Sequence, residues 1–189
     1  SIEITGIKNL DTVLLKMNSN FGNLDLKGIY TIQDLPKAIS GFIDHHWPID
    51  SLDTPKPFTS KNVWITGSLS TIQPIAVFLQ DTFLQVGKAS IDLNTSFADF
   101  STNGSIKVDS LLHNDILIEL ITANVKTEDE NIILNLNSKN NLLKGRKIDL
   151  IALDNLLADK KITSTFLAKD GDDIPRLKFE LVTTRMEDH

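Results

Sequence analysis

The sequence predicts a mainly β fold: a curved antiparallel sheet of repeated strands with two short helices docked on it. Three observations lead there. Apolar and polar residues alternate with a period of two along most of the chain. Short polar turns separate the alternating runs, as hairpins require. Only two stretches carry a helical period. A β-sandwich satisfies the same alternation, and period alone does not choose between the two architectures.

The elements follow in order. Between Thr12 and Ser19, Val13, Leu15 and Met17 share one face, with Thr12, Lys16 and Asn18 on the other. Leu24, Leu26, Gly28, Tyr30 and Ile32 form the next apolar face, opposed by Asp25, Lys27 and Thr31. The first interruption, near residues 34–46, opens at Asp34-Leu35-Pro36. Asp34 suits a cap and Pro36 a first turn, while Leu35, Ile39, Phe42 and Ile43 fall on one side. This helix is expected to stop before His45-His46-Trp47-Pro48, and Asp50 to Ser60, with Pro55 and Pro57, reads as a loop.

Val63, Ile65, Gly67 and Leu69 then alternate with Trp64, Thr66 and Ser68. The second interruption, near residues 70–80, places Ile72, Ile75 and Leu79 along one side of a short helix. Neither helix is long enough to stand alone in water, so each must dock on the sheet. Beyond it, Ala89, Ile91, Leu93 and Phe97 share a face, and Gly104, Ile106 and Val108 alternate with Lys107 and Asp109. Ile116, Ile118 and Leu120 are set against Leu117, Ile121 and Val125; Ile132, Leu134 and Leu136 follow. Strands at 148–150, 162–166 and 177–181 bring the expected number to roughly ten.

A loose repetition of three strands with polar turns recurs at residues 2–32, 104–137 and 145–183. Repeated hairpins that bare one apolar face need a neighbouring unit to cover it, which is the logic of a repeat array. Residues 1–189 are accordingly expected to form a single β-rich segment of a longer, repeat-built chain.

Composition excludes several classes of function. The absence of cysteine removes disulfides, thiolate metal sites and cysteine nucleophiles. A net charge of -6 without a basic run argues against nucleic acid as a partner. No apolar stretch reaches the roughly 20 residues that span a bilayer. Asp44-His45-His46 with Asp50 and Asp53 offers metal ligands in one loop, but neighbouring histidines on extended chain diverge. The clusters Glu128-Asp129-Glu130 and Asp170, Asp172, Asp173 lack the ligand ladder of a calcium loop and read as hairpin turns. Trp47, Trp64 and Tyr30 are scattered, as packing aromatics are. With no nucleophile elbow, phosphate loop or dinucleotide fingerprint, no catalytic residue, metal or cofactor is expected. An enzyme built on Asp44-His45-His46 would need metal-dependent activity that disappears when both histidines are replaced.

Asn20-Phe21-Gly22-Asn23-Leu24-Asp25-Leu26-Lys27-Gly28-Ile29-Tyr30, leading into Leu35-Pro36-Lys37-Ala38-Ile39, resembles the glycine-ended strand and short helix of TamB proteins of Bacteroidetes-type bacteria. Residues 83–94 and Gly104-Ser105-Ile106-Lys107-Val108 with the following strand are similar to other recurrent phrases of the TamB/AsmA-like family. The resemblance implies a periplasmic segment of a parent anchored in the inner membrane, folded as an open, taco-shaped groove with an apolar interior. It implies phospholipid transport between the two membranes, outer-membrane protein assembly, or both. An Omp85-type outer-membrane barrel would be the partner of the parent chain. The two helices and the proline loop depart from a regular groove.

Such a groove acts by area, because each methylene of an acyl chain leaves water at about 0.8 kcal/mol. The candidate floor is Val13, Leu15, Met17, Leu24, Leu26, Ile65, Leu69, Ile91, Leu93, Ile106, Val108, Ile118 and Leu120. The same residues would equally serve a closed core. The competing function is a surface adhesion or carbohydrate-binding β-sandwich module.

Overall fold

A computed structural model of the chain describes residues 2–46, 60–71, 84–158, 161–171 and 174–184. Twelve strands form one curved, unclosed sheet: β1 (Ile2–Asn9), β2 (Thr12–Ser19), β3 (Gly22–Ile29), β4 (Asn62–Leu69), β5 (Leu84–Val86), β6 (Ala89–Ser96), β7 (Ser101–His113), β8 (Ile116–Glu128), β9 (Asn131–Leu143), β10 (Arg146–Ala158), β11 (Lys161–Lys169) and β12 (Pro175–Thr184). One helix, α1 (Leu35–His46), lies between β3 and β4 in sequence. The architecture is that of an open, taco-like groove, and a second sheet packed on the first is absent among the described residues.

The sheet is a meander in which every neighbour is antiparallel. Its turns explain why. Asp129-Glu130 and Lys144-Gly145 both carry positive φ at their two central residues, the conformation whose twist matches that of the flanking strands. Two of the labelled strands are in effect one. Leu84–Val86 and Ala89–Ser96 continue the same register along β7, and Gly87 N–H donates to the Ser110 carbonyl across the break. The sheet therefore widens from eight-residue strands at its start to thirteen-residue strands in β7 to β10.

Two departures from the expected pattern concern the ends of elements. The third strand stops at Ile29, so Tyr30 turns into the core while Ile32, 65% exposed, points to solvent from the turn before α1. The helix does not stop before His45 but runs through His46. Its last turn carries two histidines, His45 and His46. The second expected helix, over 70–80, falls mostly outside the described residues, as do Trp47 and the proline loop. The strands number twelve rather than roughly ten because the short β5 is counted apart and the first alternation begins already at Ile2.

The sealed core is small and sits under α1. Tyr30, Ala38, Val63 and Phe97 are buried, with Val13, Leu26, Leu35, Phe42 and Ile65 packed against them. Elsewhere among the described residues only Ala152 and Ala168 are buried apolar side chains. No helix of the described residues is long and apolar enough to cross a membrane.

Candidate functional site

The register turns the sequence alternation into a continuous surface. Residues paired directly across an antiparallel sheet point to the same side. Following the pairs from β1 to β12 gives one row across eleven strands: Ile4, Met17, Leu24, Gly67, Ile91, Ile106, Ala123, Leu136, Leu153, Phe166 and Phe179. No polar side chain interrupts it. Ten inter-strand spacings of about 4.8 Å give that row a contour of roughly 48 Å. At its far end Phe166 and Phe179 stack with ring centroids 5.1 Å apart.

A second row on the same face runs from Leu15 through Leu26, Ile65, Leu93, Gly104 and Val125 to Leu134. It then meets Asn155 and Ser164, which satisfy one another by a 2.8 Å hydrogen bond from the Ser164 hydroxyl. One row of the opposite face is its inverse. Thr5, Lys16, Asp25, Thr66, Asp92, Ser105, Asn124, Asn135, Asp154, Thr165 and Glu180 form a row that is polar at every strand. Lys16 pairs with Asp25 at 3.6 Å, and Asn135 donates to Asp154 at 2.7 Å. The next row on that face, through Ile7, Leu14, Lys27, Trp64, Asn94, Asn103, Lys126, Ile133, Leu156, Thr163 and Val182, mixes apolar and polar side chains, so the two faces differ in degree.

Helix α1 lies across part of the apolar side. Between it and the sheet is a cavity of about 330 Å³ lined by Leu35, Ile39 and Phe42 from the helix and by Val63, Ile65, Leu93, Thr95, Phe97, Thr102 and Val125 from the strands. No charged side chain lines it. Its two hydroxyls bond each other, Thr95 to Thr102 at 3.1 Å, so they do not call for a polar ligand. An apolar lining of this kind accepts apolar matter, as even an engineered void of about 150 Å³ does.

The ends of the helix are tethered differently. At the start, the N–H groups of Asp34 and Leu35 donate to the Thr31 carbonyl, and Ala38 N–H donates to the Asp34 carbonyl at 2.9 Å. At the finish, the His46 ring reaches two hairpin turns at once. Its Nε2 lies 2.7 Å from the Phe100 carbonyl oxygen and its Nδ1 lies 3.0 Å from that of Glu130. His45 stacks on the Phe100 ring with centroids 4.0 Å apart, and Phe42 meets His46 edge-on. Desolvation, then the neighbouring His46, lowers the pKa of His45, against the opposing pull of Glu130. Burial pushes the Tyr30 phenol up, and its hydroxyl donates to the Leu26 carbonyl at 3.3 Å.

The thirteen candidate floor residues distribute as follows. Met17, Leu24, Ile91 and Ile106 share the first row, and Leu15, Leu26, Ile65 and Leu93 the second. Val13 pairs with Gly28 on one flank of these rows, while Leu69 and Val108 both pair with Ala89 on the other. Ile118 pairs with Leu111 in the widened part of the sheet. Leu120 stands apart: its φ is 49°, it is 53% exposed, and the pairing of β8 with β9 is irregular around it. There the face is carried instead by Ile121, Ala123 and Val125. A single irregular residue shifts the alternation that follows, which a pattern of apolar residues does not reveal.

Phe42 and Phe97 were legible as apolar but not as walls of a cavity. Ala38 and Gly41, the buried residues of the helix, were missed, because small side chains give no apolar signal even where two backbones approach closely. The Asp44-His45-His46 segment lies on the helix, and both nitrogens of His46 are taken up with carbonyl oxygens. No group of three or more His, Cys, Asp or Glu side chains gathers among the described residues. Comparison of the chain with family models, with curated proteins and with solved structures gives no significant match.

Proposed function

We propose that this chain is a non-enzymatic segment that carries phospholipid acyl chains on an open apolar groove, in the manner of the TamB/AsmA-like periplasmic proteins. On this reading the parent chain is anchored in the inner membrane. It hands lipid, or nascent outer-membrane barrel strands, toward an Omp85-type barrel. The observation that carries the proposal is the uninterrupted apolar row across eleven strands, backed by a wholly polar row on the other face. A monomeric β domain ordinarily closes such a face over itself, and a contiguous apolar surface of this length marks a binding surface. Head groups would stay at the rim, in water. Acyl chains would lie across the strands, held by about 0.8 kcal/mol for each methylene removed from water. The absence of charge along the row gives no position that would trap a chain.

The test is organic extraction and mass spectrometry of protein purified without detergent, followed by exposure of delipidated protein to phospholipid vesicles. Phospholipid is expected in stoichiometric amount. It should be lost in Leu93→Asp and Val108→Asp, and retained in Thr66→Asp on the polar face. A clean extract together with no uptake from vesicles would sink the proposal and favour a surface-binding β module.

A further inference from the structure

We propose that the His46 imidazolium latches α1 down over the apolar trough, and that the latch opens when the ring loses a proton. The proposal rests on the reading of the trough as an acyl-chain site and adds its regulation. Its basis is a count of protons. Both ring nitrogens of His46 face backbone carbonyl oxygens, at 2.7 Å on Phe100 and 3.0 Å on Glu130. A carbonyl oxygen only accepts, so both bonds exist only when both nitrogens carry hydrogen, which is the cation. The neutral ring carries one N–H. It keeps one bond and turns a bare lone pair toward the other carbonyl.

The two acceptors belong to different hairpins. Phe100 ends the turn between β6 and β7, and Glu130 ends the turn between β8 and β9. The cation therefore ties the last turn of α1 to strands on both sides of β7, and the neutral ring ties it to one only. The trough beneath lies between this helix and the sheet, lined by Phe42 one turn before His46 and by Phe97, which opens the turn that Phe100 ends. Release of the last turn would lift Phe42 and open the wall. At the other end of α1 the N–H groups of Asp34 and Leu35 donate to the Thr31 carbonyl, so that end serves as the hinge.

Charged and titratable groups stand on each element around this position. On α1 itself stand Asp44 and His45; the β8–β9 turn brings Glu128, Asp129 and Glu130; the β6–β7 turn brings Asp99. Lys126, the nearest base on β8, is paired with Glu128 at 2.6 Å. His45 is the neighbour that could compete for the proton. Its desolvation and the neighbouring His46 favour the neutral form, against Glu130. His45 also works in the opposite sense. With its pKa lowered in the folded chain, the stability it contributes is present above the ordinary imidazole range and lost as pH falls through it. Removing it should steepen the His46 response.

The test is hydrogen exchange of the α1 amides in delipidated protein at about pH 5.5 and about pH 8, corrected for intrinsic rates, a window in which imidazoles change charge. Protection of Ala38 to Phe42 is expected to fall about tenfold on raising the pH, the loss of one charged hydrogen bond. The fall should vanish in His46→Gln, which cannot change charge, and persist or steepen in His45→Gln. Nitrogen-15 spectra of the wild-type imidazoles at the lower pH should show His46 protonated on both nitrogens. The same slope in His46→Gln, no slope in the wild type, or a singly protonated His46 at the lower pH would each overturn the latch. Uptake of a pyrene-labelled phospholipid from vesicles is measured in parallel. A pH-dependent helix without uptake at either pH would leave the latch standing and remove the acyl-chain reading.

Discussion

Gly28 shows how much of this fold depends on single atoms. It sits in β3 opposite Val13 and Val63, under the small core of Tyr30 and Phe97. A Cβ placed there would run into the Asn62 carbonyl oxygen and come within 3.0 Å of the Val63 Cα, backbone atoms that cannot rotate away. Gly6, two strands away on the same sheet, has open space around the equivalent position. Gly28→Ala is therefore expected to cost about 1–3 kcal/mol in urea unfolding, as overpacking does. Gly6→Ala should stay within about 0.5 kcal/mol of the wild type. Equal effects at the two positions would refute the close-approach explanation. The sequence marks both glycines identically; only the neighbouring strand distinguishes them.

At the scale of elements, α1 is the part that departs from a regular groove. Its twelve residues would not hold a helix in water, and its stability comes from docking. The residues in deepest contact are Ala38, fully buried, and Gly41, flanked by Leu35 and Phe42. Small residues let the helix sit low, and the larger ones then wall the trough. Ala38→Leu should lift α1, cost about 1–3 kcal/mol, and raise amide exchange in α1 more than in β7. An unchanged exchange pattern would mean that the helix does not rest on Ala38. The sequence showed the helix and its large apolar residues. It placed the last turn one residue pair too early, because the partners of His46 are 54 and 84 residues away in the chain.

At the scale of the whole molecule, the sheet of the described residues is unclosed. β1 and β12 are exposed along their full lengths, and the apolar row reaches both edges at Ile4 and Phe179, 65% and 49% exposed. Unpaired backbone beside exposed apolar side chains is the arrangement that invites another strand. The isolated chain should thus associate with itself at micromolar to millimolar concentration. Replacing Ile4 and Phe179 together by lysine should weaken that association about tenfold in sedimentation velocity, the effect that lysine has on natural edges. A wild-type chain that stays monomeric at millimolar concentration would show the edges to be self-protecting.

The sequence by itself determined the strands and the sidedness of nearly every residue in them. A period of two is a local property, and a polar turn every eight to thirteen residues leaves antiparallel neighbours as the simplest pairing. It thereby identified Met17, Leu24, Ile91 and Ile106 as one face without fixing that they form one row. Whether that face was a closed core or an open groove was decided only by tertiary structure. Closure depends on whether the chain folds back over itself, which is a sum of long-range contacts that no periodicity encodes. The same holds for the bulge that displaces Leu120, and for the two carbonyl oxygens that converge on His46. Each depends on what a distant strand presents.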